Sequence, residues 1–180
     1  MVLPGCRSKT HEVQPVLPMY NAATVQITMQ QGLAFYQGRP FTGMLYTLAA
    51  NNDTIQVTGF NQGKEHGTWR SFYPSNRLQE KRYYHNGQKT GKYIAYWPNG
   101  KQKWLYHFNR NEYHGQCLEW NDKGLLVKNM NFNMGYEDGP QHQWYDNGKV
   151  KANYLMINGR RYGLLGTKNC VNVSDSIFKY

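Results

Sequence analysis

Six glycines, Gly43, Gly67, Gly91, Gly115, Gly139 and Gly163, lie at one spacing of 24 residues without a slip. A chain with such a period is built from copies of one small unit, each covered by its neighbours rather than by a single central core. Two further columns keep the same period. Four residues before the later glycines stand Gly63, Gly87, Asn111, Gly135 and Gly159. Asparagine is the side chain that best tolerates positive φ after glycine, so Asn111 fits its column. Nine residues after the first-named glycines come Asn76, Gly100, Gly124 and Gly148, preceded by Pro74-Ser75, Pro98-Asn99, Asp122-Lys123 and Asp146-Asn147.

Each unit therefore carries two turns and two strands. In the unit that begins at Tyr84, Asn86-Gly87 is a tight-turn dipeptide, residues 91–97 form a strand, Pro98-Asn99-Gly100 is a hairpin turn and residues 101–108 return. Composition agrees with short strands and tight turns. Only 39% of the residues are hydrophobic while 15% are aromatic and 18 are glycine, so rings rather than aliphatic mass must do the packing. This argues against a helical bundle, and the aromatic content argues against disorder. The expected fold is all-β: an elongated, twisted antiparallel meander of about ten to twelve strands. Tyr36-Gln37-Gly38 is one residue out of step with the later columns and reads as an N-terminal cap, with residues 24–29 as a capping strand.

Two columns are candidates for packing or binding. Leu48, Phe72, Tyr96, Trp120 and Trp144 recur five residues after the glycine and are expected to stack as an aromatic spine, or to line a ligand groove. Simple alternation places Leu78, Gln102, Leu126 and Val150 on the face of the Tyr84, Phe108, Phe132 and Met156 column. The other parity holds Arg77, Lys101 and Lys149, then Lys103 and Lys151, a basic turn edge. With a net charge of +10, that edge is a candidate surface for anionic headgroups or an acidic protein; it equally serves to keep an exposed strand soluble. No nucleic-acid partner is expected.

Leu3-Pro4-Gly5-Cys6 has the form of a bacterial lipobox, and the polar segment after it reads as a tether. On this reading Cys6 carries the lipid, residues 1–22 are the lipobox-like start and tether, 23–166 the repeat domain and 167–180 a C-terminal cap. The only residues before the motif are Met1 and Val2, so the charged and apolar front of an export signal does not precede it in this sequence. The odd cysteine count and wide spacing of Cys6, Cys117 and Cys170 do not form a disulfide framework.

Catalytic signatures do not emerge. There is no nucleophile elbow or phosphate loop, and the glycines are explained by turns. His66 and His114 share one slot two repeats apart, roughly 19 Å at ordinary strand spacing, too far to share a metal; His85 and His107 are close enough in register to approach each other. No enzyme activity, cofactor or metal is expected.

The run Asn86-Gly87-Gln88-Lys89-Thr90-Gly91-Lys92-Tyr93-Ile94-Ala95-Tyr96-Trp97-Pro98-Asn99-Gly100-Lys101, with Asp146-Asn147-Gly148-Lys149, resembles the MORN repeat in its bacterial variant form. The resemblance covers residues 32–166. The whole chain is similar to the YwqK-family antitoxin proteins of Bacteroidota, members of which often carry lipoprotein signals. The resemblance implies a scaffold, a dimerising element or an attachment to membranes; for the antitoxin group it implies a protein that binds a cognate toxin. The two functions that follow are a lipid-anchored binding module of the cell envelope and, as the alternative, a cytoplasmic antitoxin-type protein.

Overall fold

The structure, a computed structural model, describes residues 17–164, so Cys6, Cys170 and residues 167–180 lie outside the described residues. The fold is all-β. The N-terminal strands are β1 (Met19–Asn21), β2 (Ile27–Gln30), β3 (Leu33–Tyr36) and β4 (Arg39–Pro40). Four long strands follow: β5 (Gly43–Leu48), β6 (Thr54–Asn61), β7 (Lys64–Tyr73) and β8 (Arg77–His85). Three later units repeat one pattern, a two-residue arm, a forward strand and a return strand. They are β9 (Gln88–Lys89), β10 (Gly91–Tyr96) and β11 (Gln102–Asn109); β12 (Glu112–Tyr113), β13 (Gly115–Trp120) and β14 (Leu126–Asn133); β15 (Tyr136–Glu137), β16 (Gly139–Trp144) and β17 (Val150–Ile157). The last described strand is β18 (Arg160–Leu164).

One long sheet runs β1-β5-β6-β7-β8-β10-β11-β13-β14-β16-β17-β18, with the arms β9, β12 and β15 paired to β8, β11 and β14. Every pairing from β5 onward is antiparallel, and the sheet does not close into a barrel. The expected meander is therefore what the chain forms. Of the eighteen strands described, twelve lie on the path of this sheet, three are the two-residue arms beside it, and three form a separate sheet.

Both turn columns behave as their residues demand. Asn86 (φ 49°) and Gly87 (φ 82°) are both left-handed, the type I′ geometry that matches strand twist. Arg110 (φ 49°) and Asn111 (φ 73°) make the same turn, so asparagine serves where the other units use glycine. At the opposite edge the Gly100 N–H donates to the Trp97 carbonyl at 2.8 Å with Gly100 at φ 83°, a type I turn closed by a left-handed residue. Neighbouring turns are tied together. The Gly87, Asn111 and Gly135 N–H groups donate to the Glu65, Lys89 and Tyr113 carbonyls, each one unit back.

A second periodic feature was not visible in the residue columns. In every forward–return pair the register slips at one place: between Thr47 and Leu48, Ser71 and Phe72, Ala95 and Tyr96, Glu119 and Trp120, Gln143 and Trp144. Ala95 faces Trp104 but Tyr96 faces Gln102, which leaves Lys103 as an extra residue in the return strand. Such a bulge breaks the alternation of side chains. Leu78, Gln102, Leu126 and Val150 pair with Phe72, Tyr96, Trp120 and Trp144 on one face, while Tyr84, Phe108, Phe132 and Met156 lie on the other. The expectation that those two columns share a face is thereby corrected.

From β8 onward burial follows the second face, while in β6 Val57 is buried on the other one. Tyr84, Ala95, Cys117, Met130, Gln141, Ala152 and Tyr154 are buried, and all seven stand on the second face. Small residues sit beneath rings: Ala95 is 1% exposed beside its cross-strand partner Trp104. Among the described residues Gln141 is the one large side chain buried completely, and it behaves like a ladder residue. Its Nε2 donates to the Asn131 carbonyl at 2.7 Å and its Oε1 accepts from the Asn131 N–H at 3.0 Å.

At the N-terminal end β2, β3 and β4 form a separate three-stranded sheet. Ala34 and Phe41 of this segment pack with Phe60 of β6, and Tyr20, Ile27, Tyr36 and Leu45 close the cluster. Of residues 24–29, read as a capping strand, only 27–29 fall in β2, and it pairs with β3 instead of extending the main sheet. β1 runs parallel to β5, so Met19–Asn21, assigned from sequence to the tether, belongs to the sheet.

Candidate binding groove

The aromatic network of the buried face is built from columns other than the expected spine. Phe72, Tyr96, Trp120 and Trp144 are half-buried on the opposite face and make no ring contact with one another. The rings that meet are Tyr93 with Trp104 (centroids 5.6 Å) and Tyr106 (5.9 Å), Tyr106 with Tyr113 (5.6 Å), and Tyr113 with Phe132 (5.2 Å). Most of these contacts are edge-to-face, the arrangement the ring quadrupole favours. The bulge explains the shift, because it turns the return-strand residues beyond it onto the face of Tyr93 and Cys117.

Three acids punctuate this face, and each is held in the same way by a cation and a tyrosine. Glu80 accepts from Arg82 at 2.6 Å and from the Tyr93 hydroxyl at 3.0 Å. Glu119 accepts from Lys128 at 2.7 Å and from Tyr106 at 2.6 Å. Glu137 accepts from Arg161 at 3.3 Å and from Tyr154 at 2.9 Å. Arg82 also lies between two rings, 4.3 Å from Trp69 and 4.7 Å from Tyr93. Burial works against its charge, but the hydrogen bond to Glu80 leaves its pKa raised. Burial, aided by Glu80, pushes Tyr93 up to about 12; burial and the Glu119 bond push Tyr106 higher still. Cys117 is raised by burial as well, so the thiol packs as a small apolar group.

Two cavities open on this face and share Tyr106 and Glu119, so they form one groove across the hairpins. The inner part, about 230 Å³, is lined by Tyr113, Cys117, Met130 and Phe132. The outer part, about 750 Å³, reaches the hairpin-turn edge and is walled by Trp97 and Trp104, with Glu119, Asp122 and Asp146 among them.

The basic residues expected to form a binding edge are largely occupied within the fold. Arg77 donates to the Pro98 carbonyl of the next hairpin turn, and the Lys101 ammonium donates to the Lys123 carbonyl at 2.7 Å, again one unit on. The same edge carries Tyr73 to the Tyr96 carbonyl (3.1 Å) and Trp97 to the Trp120 carbonyl (3.0 Å). Lys103, the bulge residue, lies over the rings of Trp97 (4.3 Å) and Trp104 (4.5 Å); Lys151 lies 5.9 Å from Tyr145. Lys149 ends the column and has no side-chain partner among the described residues.

His66 lies beside His85, 5.2 Å between centroids with the rings tilted, in place of the His85–His107 approach. No group of three metal-ligating side chains occurs among the described residues. The groove residues Trp97, Trp104, Tyr106 and Glu119 were missed from sequence; Trp104 and Tyr106 lie just past a bulge that a two-residue period cannot register.

Comparison with protein-family models gives no match, and no curated protein matches the chain.

Proposed function

We propose that the chain is a non-enzymatic binding and scaffold module, built from MORN-like repeats and held at the bacterial cell envelope by a lipid on Cys6. The observation that carries the binding reading is the groove. It crosses successive hairpins on one face of an open sheet, and its aromatic walls join polar groups at the turn edge. Binding sites combine concave apolar walls with a few placed polar groups in this way. The acid at its centre, Glu119, is tied to Lys128 and Tyr106, an arrangement suited to holding shape rather than to shuttling protons.

The protein partner is the preferred one, since an extended segment can follow a groove across units. Contact with an anionic membrane surface falls to Lys149 and Lys151, because Arg77 and Lys101 already serve neighbouring turns. Fractionation tests the anchor. In a bacterial host, with an export signal supplied ahead of the lipobox, wild type is expected in the membrane fraction and Cys6→Ser in the soluble extracytoplasmic fraction. Retention of both in the membrane removes Cys6 as the anchor. Cytoplasmic recovery of both behind the native upstream codons moves the reading to the antitoxin type, with the groove as the seat for a toxin.

A further inference from the structure

The outer groove is an aromatic slot that already holds a cation. The Lys103 ammonium lies 4.3 Å from the Trp97 ring and 4.5 Å from the Trp104 ring. It is placed there by the bulge, which gives the return strand one extra residue and turns Lys103 onto the face of Trp104. The surrounding charge is unusual for this chain. Glu119, Asp122 and Asp146 line the slot, three of only 11 acids in a protein of net charge +10. Glu119 is bridged to Lys128, and Asp146 accepts from Asn121 at 3.2 Å; the Asp122 carboxylate makes no hydrogen bond among the described residues.

We propose that this slot receives a cationic side chain, arginine or lysine, from an extended segment of a partner protein, and that Lys103 is an internal occupant which the incoming cation displaces. The indole faces carry negative quadrupole potential, so they attract cations and disfavour anions. A carboxylate beside them adds to that preference. Arginine suits the slot best, because its flat guanidinium stacks on rings and is weakly hydrated. Lys103 sits on a flexible stem at the bulge, so it leaves without disturbing the ladder. The proposal gives the binding-module reading a ligand chemistry and rests on that reading for the existence of a partner.

The test uses the whole chain and the peptide acetyl-Gly-Arg-Gly-Gly-amide, followed by the indole N–H resonances of Trp97 and Trp104. The Trp104 indole N–H is buried without a partner, which makes it a clean reporter. Lys103→Met should bind the peptide more tightly than wild type by about five-fold, the worth of one displaced surface cation–π contact. Trp97→Leu in the Lys103→Met background should abolish binding, and the citrulline peptide, neutral and nearly isosteric, should not bind. Equal affinity for arginine and citrulline overturns the proposal, as does an unmoved Trp104 resonance in Lys103→Met with the circular dichroism unchanged. Binding of a neutral disaccharide in preference to the peptide also overturns it, by making the slot a sugar site. These outcomes are independent of the membrane fractionation, so failure here leaves the anchor reading to its own assay.

Discussion

Gly91 and Phe108 stand directly opposite each other in the β10–β11 ladder, and the same pairing recurs as Gly43 with Phe60, Gly67 with Tyr84, Gly115 with Phe132 and Gly139 with Met156. Two columns that the sequence shows only as parallel periodicities are thus one structural device. Gly67, Gly91, Gly115 and Gly139 hold a left-handed backbone at this place, and each stands in register with the large side chain of the return strand.

The requirement at Gly91 is conformational. Its φ is +65°, yet a Cβ built there meets nothing within 4 Å. Gly91→Val is expected to lower stability by about 1–3 kcal/mol through backbone strain, and Gly91→Asn by clearly less, since asparagine tolerates the left-handed region. Urea unfolding of the two variants measures this. Equal losses would mean that the position is limited by space after all.

Arg77 and Lys101 are predicted to be staples. Each donates to a turn carbonyl of the following unit, so Arg77→Met and Lys101→Met should each cost about 0.5–1.5 kcal/mol. Lys149→Met, at the end of the column, should leave the melting temperature unchanged. Thermal unfolding of the three variants, with vesicle binding measured beside it, separates a staple from a membrane contact. If only vesicle affinity falls, the basic edge is a surface for headgroups.

The turns and the meander were legible because their residues must satisfy local backbone geometry, which glycine and asparagine report directly. The choice of packing column was not. Ala95 and Tyr96 are adjacent and look equally suited to a core, but the extra residue Lys103 opposite them decides that the small one goes inward under Trp104. A bulge has no residue signature here, since its position holds Ile55, Gln79, Lys103, Val127 and Lys151 in turn. The groove was hidden for the same reason, and the staples were hidden because a cation on a strand edge looks alike whether it meets water or the next turn.

Alkaline pH should destabilise the sheet through Tyr93. Its folded pKa is raised to about 12 from 10.0, so the folded state holds the phenolic proton more tightly than the unfolded chain. Stability from this group is complete below pH 10 and is lost as pH rises from about 10 towards 12. Tyr93→Phe should flatten the fall of unfolding free energy in that window. An unchanged slope would show that other tyrosines, Tyr106 first among them, carry the effect.

Removal of one whole unit should leave a folded, shorter sheet, because each hairpin pairs only with its neighbours. The choice of unit matters, and the ladder says how. Deleting residues 91–114 brings Glu119 into the place of Ala95, opposite Glu80. It also removes Tyr93 and Tyr106, the hydroxyl donors to those same two acids. Two carboxylates then face each other with less support, a like-charge cross-strand pair. Deleting residues 115–138 instead sets Trp104 opposite Gln143 and removes the Glu119–Lys128 pair as a unit. What it leaves without acceptors are the neutral hydroxyls of Tyr106 and Tyr154 and the guanidinium of Arg161, which is more than half exposed and so returns to water. The second deletion should therefore be the more stable by about 2 kcal/mol, the scale of the charge-assisted bonds lost in the first. Paired urea titrations decide the order, and Glu80→Gln in the 91–114 deletion should recover part of the difference. Collapse of β-type circular dichroism in both would mean that the hairpins depend on a core beyond their neighbours.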